Sequence, residues 1–152
     1  MRTMSDSIDI QASPQAVWHV LTDLSAYPSW NPLFVEAIGE IAVGQQVTLR
    51  GAQQGRRTMV VRVTILAAEP GVELRWIAGL KGIIGGEHAF RLTAQGDRTR
   101  LVQSETFRGL LVPISGRALR RAEDSFRELN AAIKKRSEEH PADTGQRGSQ
   151  RS

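Results

Sequence analysis

The sequence predicts an α+β domain in which a seven-stranded curved antiparallel sheet wraps around a long C-terminal helix. Residues 33–107 alternate in polarity and are interrupted by short glycine-containing turns, which is typical of strands joined as a meander. From residue 113 onward apolar residues recur at intervals of three and four, which is typical of an amphipathic helix. Because such a sheet cannot bury its concave face alone, we expect the helix to cover it and to leave a cavity between them.

The chain opens with a short strand followed by two short helical segments. Ile8 and Ile10 alternate with polar residues, which predicts a strand over residues 7–12. Ser13 is a favourable N-cap and Pro14 suits the first position of a helix. The apolar residues of this helix are Val17, Val20, Leu21 and Leu24. Pro28 and Pro32 then limit the next segment, which carries the aromatic residues Tyr27 and Trp30, to a turn or one helical turn.

Six further strands and the long helix complete the predicted order. The strands are residues 33–40, 46–52, 58–68, 72–80, 86–93 and 99–107. The turns between them are short, Gly96-Asp97 among them, so neighbouring strands run antiparallel. The helix runs from about Pro113 to Glu139. Its apolar face consists of Leu119, Ala122, Phe126, Leu129 and Ile133.

Composition narrows the classes of partner and compartment. The 152 residues carry a net charge of +4 without a dense basic block, so we expect no nucleic-acid partner. No apolar run is long enough for stable membrane insertion, and the first residues lack the apolar core of a signal peptide. The chain has no cysteine, which fits a reducing compartment, and we expect a cytoplasmic protein.

The sequence predicts a single ligand-binding domain over residues 4–139. Residues 140–152 have almost no apolar side chains, so we expect them to form a disordered tail.

Several motifs in a fixed order resemble one known superfamily. They are Ser13-Pro14 with Val17-Trp18, Tyr27-Pro28 with Trp30-Asn31-Pro32, Gly86-Glu87-His88 with Phe90, and the stretch from Thr99 to Phe107 with Gly109-Leu110-Leu111. This set resembles the START-related helix-grip (SRPBCC) superfamily, in particular its polyketide cyclase/dehydrase-like branch. The resemblance implies the helix-grip fold and a hydrophobic cavity. Members include lipid and hormone binders, cyclases and aromatases, and no catalytic motif is common to them, so the resemblance assigns no catalytic residue.

The strand pattern predicts which side chains face the cavity. If Gly96-Asp97 is a two-residue turn, Leu92 lies opposite Leu101, Phe90 opposite Gln103, and His88 opposite Glu105. Trp76 of the preceding strand is expected beside His88 or Phe90. The predicted ligand-binding residues are Trp30, Trp76, His88, Phe90, Gln103, Glu105, Phe107 and Phe126.

The His88–Glu105 pair has two interpretations. A pocket pair of this kind binds a polar group of a ligand or moves a proton, which makes His88 and Glu105 the candidate catalytic residues. Alternatively, His88, Gln103 and Glu105 satisfy one another in a filled core, or they lie at the solvated rim of the sheet. Tyr27 and Trp30 either line the mouth of the pocket or pin an irregular loop to the sheet. Isolated histidines without partner carboxylates at zinc spacing predict no metal, and we expect no cofactor.

Three functions follow from these observations. The first is binding of a small, mostly apolar molecule that is lipid-like, polyketide-like or aromatic. The second is a cyclase or dehydrase that uses the His88–Glu105 pair. The third is a protein-interaction module with a closed core, whose apolar hairpin tip at Ile83 and Ile84 contacts a partner. The sequence is compatible with a monomer or a homodimer.

Overall fold

Seven strands and three α-helices make up the part of the chain that the structure describes. The computed structural model describes residues 1–51, 58–80, 84–109 and 116–140. In chain order the elements are β1 (Arg2–Ile10), α1 (Pro14–Thr22), a 3₁₀ turn (Leu24–Ala26), α2 (Tyr27–Trp30), β2 (Phe34–Gly39), β3 (Gln46–Gly51), β4 (Val60–Glu69), β5 (Glu73–Leu80), β6 (Ile84–Gln95), β7 (Arg98–Arg108) and α3 (Gly116–Glu139).

The strands form one antiparallel sheet in the order β1-β7-β6-β5-β4-β3-β2. The predicted meander is therefore confirmed, with the N-terminal strand placed beside the last one. Gly96 and Asp97 form the two-residue turn between β6 and β7, and Gly96 takes a positive φ of 63° there. The predicted register is confirmed, because His88 lies opposite Glu105 and also beside Trp76.

Helix α1 begins as its sequence predicts. The Ser13 hydroxyl accepts a hydrogen bond from the Ala16 amide at 3.2 Å, which satisfies one of the free donors at the helix start. Val17 and Leu21 are buried against the sheet and α3. The α1 helix ends at Thr22, where the chain turns into the short segment that carries Tyr27.

Helix α3 lies across the inner face of the sheet. Phe126, Leu129 and Ile133 are buried there at helical spacing. The neighbouring charged residues of the same helix, among them Arg121 and Asp124, are exposed. The predicted amphipathic face is thus the one that covers the sheet, and the helix ends at Glu139 as predicted.

The structure differs from the sequence prediction mainly at element ends. Strand β1 begins at Arg2 rather than Ser7, because the polar residues before Ser7 pair along β7 as far as Phe107. The first residues of the predicted last helix, 113–115, lie outside the described residues, as do Ile83 and the side chain of Ile84. Of the predicted tail, residues 141–152 also lie outside them, so the domain boundary remains a prediction.

Candidate functional site

A cavity of about 350 Å³ lies between the inner face of the sheet and α3. Its walls come from β2 to β7 and from one face of α3. Most lining residues are apolar or small: Leu33, Phe34, Leu49, Met59, Val61, Val63, Trp76, Ala78, Gly86, Ala122, Phe126 and Leu129. The polar groups on the wall belong to His88, Glu105 and Ser125. An apolar cavity with a few polar groups is the usual form of a small-molecule site.

The imidazole of His88 is held on several sides by aromatic rings. It stacks on Trp76, with ring centroids 5.3 Å apart and an angle of 16° between the planes. The ring centroid of Phe90, on the same strand, lies 4.7 Å from that of His88. The ring centroid of Phe126, on α3 at the opposite wall, lies 5.3 Å from it. Because the ring has close neighbours from β5, β6 and α3, its plane is fixed relative to the cavity.

One edge of the His88 ring is hydrogen-bonded to Gln103. The amide nitrogen Nε2 of Gln103 lies 3.0 Å from Nε2 of His88. With its amide nitrogen turned toward the ring, as in this structure, Gln103 donates and this ring nitrogen accepts, which puts the proton of the neutral imidazole on Nδ1. Gln103 is fully buried, at 0 % exposure, and its amide oxygen has no hydrogen-bond partner among the described residues.

The other edge of the ring faces a carboxylate. Nδ1 of His88 lies 3.8 Å from Oε2 of Glu105, which is too long for a hydrogen bond. The Glu105 side chain keeps 24 % of its surface exposed, and that of His88 keeps 13 %. Gly86 provides the space for this carboxylate, since a Cβ atom at that position would lie 2.8 Å from Oε1 of Glu105.

The structure brings four of the eight predicted ligand-binding residues to the cavity wall: Trp76, His88, Glu105 and Phe126. Gln103 and Phe90 are buried and contact the His88 ring without lining the cavity. Phe107 lies opposite Gly86 near the end of β7 and is partly buried, also outside the lining.

Trp30 is placed away from the cavity. Its ring packs edge-on against Tyr27 at 5.3 Å and borders a shallow depression beside Arg136 near the C-terminal end of α3. Trp30 is the last residue of the short α2 helix, which follows the 3₁₀ turn after α1 and places the side chain beside α3. Its indole nitrogen is buried without a hydrogen-bond partner among the described residues.

Several lining residues were not predicted as site residues. Val61 and Val63 share one face of β4, and Ala122 and Leu129 share one face of α3 with the predicted Phe126. This periodicity was visible in the sequence. The periodicity does not reveal the curvature of the sheet. That curvature brings Leu33, Phe34 and Leu49, at the far side of the sheet, to the same cavity.

The fold, the cavity and the sequence motifs agree with one family. A family model described as polyketide cyclase / dehydrase and lipid transport matches residues 1–138. The chain belongs to this family. No curated protein sequence matches it.

Solved structures of this family's fold superpose on nearly the whole chain. A START superfamily protein from Mycobacterium smegmatis is 20 % identical, with a TM-score of 0.71 over 90 % of this chain and 97 % of that chain. The Zhui aromatase/cyclase from a Streptomyces species is 19 % identical, with a TM-score of 0.71 over 95 % of this chain and 98 % of that one. A protein from Mesorhizobium loti is 20 % identical, with a TM-score of 0.71 over 89 % and 96 % of the two chains. At these identities the likeness shows the shared helix-grip fold.

Two further observations concern the described part of the chain. None of its helices is both long enough and apolar enough to cross a membrane. Within residues 1–51, 58–80, 84–109 and 116–140, no three His, Asp or Glu side chains come together as a group that could hold a metal ion.

Proposed function

We propose that the protein binds a small, mostly apolar molecule in the cavity between the sheet and α3. The observation that carries this proposal is the lining of a space of about 350 Å³. The lining is apolar except for the side chains of His88, Glu105 and Ser125. An engineered apolar cavity of roughly 150 Å³ takes up benzene, so this space accepts a ligand of about two rings. The family, which includes lipid transport in its description, supports a carrier or binding role.

The same volume argues against a closed-core interaction module. Such a module needs its inner space filled by side chains, whereas the described residues surround a space large enough for a ligand. The apolar hairpin tip proposed as its contact surface lies largely outside the described residues, so it supplies no support for that alternative.

A cyclase or dehydrase is the second candidate function. It is favoured by the presence of both Nδ1 of His88 and the carboxylate of Glu105 on the cavity wall, and by the family description. The hydrogen bond from Gln103 limits the role of His88, because a neutral imidazole that gives up its Nδ1 proton while Nε2 stays unprotonated becomes an imidazolate. In an enzyme, Glu105 is therefore the proposed proton acceptor and His88 a hydrogen-bond donor to the substrate.

The binding proposal is tested by filling the cavity. Ala122 lines it, whereas Ala131 lies on the exposed side of the same helix. We expect Ala122→Phe to weaken binding of naphthalene by roughly tenfold or more, because the new ring occupies the ligand's space. Ala131→Phe adds the same ring outside the cavity and should leave the affinity unchanged. Calorimetric titration gives the two dissociation constants, and equal affinities for both variants would place the ligand elsewhere.

A further inference from the structure

We infer that the polar edge of the cavity recognises a neutral hydroxyl group, such as that of a phenol, by binding it between His88 and Glu105. The inference rests on the proposed binding function and specifies the chemistry of its ligand. In this arrangement the hydroxyl oxygen accepts the proton of His88 Nδ1, and the hydroxyl hydrogen is donated to Oε2 of Glu105.

The donor side is set by Gln103. Its amide nitrogen donates a hydrogen bond to Nε2 of His88 at 3.0 Å. The N–H of the neutral ring is therefore on Nδ1, at the edge that faces Glu105. Since Gln103 is fully buried between its neighbours, water does not compete for this hydrogen bond. The Trp76 ring stacked on His88, and Phe126 on the other wall, keep the imidazole from turning away.

The acceptor side is set by Glu105. Its Oε2 lies 3.8 Å from Nδ1, so donor and acceptor are neighbours without being bonded to each other. One oxygen atom placed at about 2.8 Å from both satisfies the two groups at once. The other carboxylate oxygen lies over Gly86, where the missing side chain gives it room.

This pairing discriminates between polar groups on otherwise similar rings. A hydroxyl both accepts and donates, so it matches the pair. A ligand carboxylate brings a second negative charge beside Glu105, and an ammonium group has no acceptor for the Nδ1 proton. An unsubstituted ring leaves both protein groups without a ligand partner. The recognised class is therefore a hydroxylated aromatic or alicyclic molecule with an uncharged polar end.

The experiment compares 2-naphthol, naphthalene and 2-naphthoate, which share one ring system, by calorimetric titration near pH 7. We expect 2-naphthol to bind roughly tenfold or more tightly than either of the others, since a hydrogen bond to a charged group contributes that much. In Glu105→Leu the preference for 2-naphthol over naphthalene should fall to about threefold or less, while naphthalene still binds. Glu69→Leu, which changes an exposed glutamate at the end of β4, is the control and should keep the preference.

The outcomes separate this inference from the function on which it depends. If naphthalene and 2-naphthol bind the unmodified protein equally well, the cavity binds apolar molecules and hydroxyl recognition is overturned. If none of the three binds, the proposed function fails together with the inference. ¹⁵N resonances of His88 give a second readout, since we expect the proton on Nδ1 before and after 2-naphthol is added. A proton on Nε2 would contradict the donor assignment.

Discussion

The buried amide of Gln103 depends on His88 as its hydrogen-bond partner among the described residues. His88→Leu removes that partner and leaves the amide unsatisfied in a fully buried position. We expect a loss of about 1–3 kcal/mol in the free energy of unfolding. The double variant His88→Leu with Gln103→Leu should recover most of it, because no polar group is then left without a partner. Denaturant titration of the two variants measures the difference.

Glu105→Leu distinguishes the two partners of His88. The carboxylate is partly exposed and makes no hydrogen bond to the ring, so its removal should cost less than about 1 kcal/mol. If Glu105→Leu rescues His88→Leu and Gln103→Leu does not, the structural partner is the carboxylate and the assignment is wrong.

The sequence predicted the direct cross-strand pair of His88 and Glu105, and it placed Gln103 on the same face as these two side chains. The diagonal bond to Gln103 depends on side-chain rotamers, which alternation along a strand does not encode.

Tyr27 gives the protein a pH-dependent contribution to its stability at high pH. Its hydroxyl donates a 2.7 Å hydrogen bond to the carbonyl of Leu21, and burial, together with the nearby charge of Asp23, raises its pKa above the ordinary value of 10.0. A raised pKa means that the stabilisation is complete below pH 10.0 and is lost as the pH rises through the folded-state pKa.

We therefore expect the unmodified protein to lose more stability than Tyr27→Phe when the pH rises from about 9 to about 11. Near neutral pH the same variant should cost about 1 kcal/mol, because the Leu21 carbonyl loses its partner. Tyr27 is the sole tyrosine in the chain, so tyrosinate absorbance reports it alone. Tyrosinate formation at about pH 10 in the folded protein would show that the side chain is not shielded from solvent.

At the scale of the elements, one polar stripe of α3 fastens the edge strand β1 and the residue after it. Asn130 donates to Asp6 at 3.0 Å, Lys134 donates to the Asp9 carbonyl at 2.9 Å, and Glu138 accepts from the Gln11 amide at 2.9 Å. The three α3 residues are four apart, so they lie on one side of the helix. The stripe fixes α3 against β1 while the apolar stripe beside it covers the core.

Glu138 makes this attachment sensitive to acid. Hydrogen bonds from Lys134 and from the Gln11 backbone lower the pKa of its carboxyl below the ordinary value of 4.5. A lowered pKa means that the contribution is present above pH 4.5 and is lost as the pH falls through the folded-state pKa. We expect Glu138→Gln to lower Tm slightly near neutral pH, by an amount equivalent to less than about 1 kcal/mol, and this difference to vanish in stronger acid.

The control for this prediction is Glu139→Gln, at the exposed neighbouring position of the same helix. It changes the charge equally without touching β1 and should leave Tm unchanged across the same pH series. A Tm difference for Glu138→Gln that stays constant down to acid pH would mean that the carboxylate charge does not contribute. Thermal melts followed by circular dichroism measure both variants.

The elements themselves were predictable to different degrees. The β6–β7 register followed from one two-residue turn, since that turn leaves a single pairing that keeps the apolar face inward. The start of β1 was not predictable, because Arg2, Thr3 and Ser5 have no strand pattern and are extended by pairing with β7. Tertiary pairing decides such an edge, and local sequence does not.

At the scale of the whole molecule, the alternation of apolar and polar residues along the strands predicted one wall of the cavity. It did not predict the wall formed by the strands at the far side of the sheet. Trp76, His88, Glu105 and Phe126 lie on the wall, as predicted from strand faces and the helical stripe. Trp30 does not, because the orientation of an irregular segment has no period from which to infer it. The contribution of Leu49 depends on how strongly a seven-stranded sheet curves, which is a property of all strands together.

The last element of the domain predicts where the chain can be shortened. We expect removal of residues 141–152 to change Tm by no more than about 1 °C, because that segment has Ala142 as its one apolar side chain apart from proline and has little to bury. Cutting after Arg136 instead removes the buried Ser137 and the Glu138 contact to Gln11. This control should lower Tm by about 4 °C or more. If the shorter truncation is equally destabilising, the tail docks on the domain and the boundary near residue 140 is wrong.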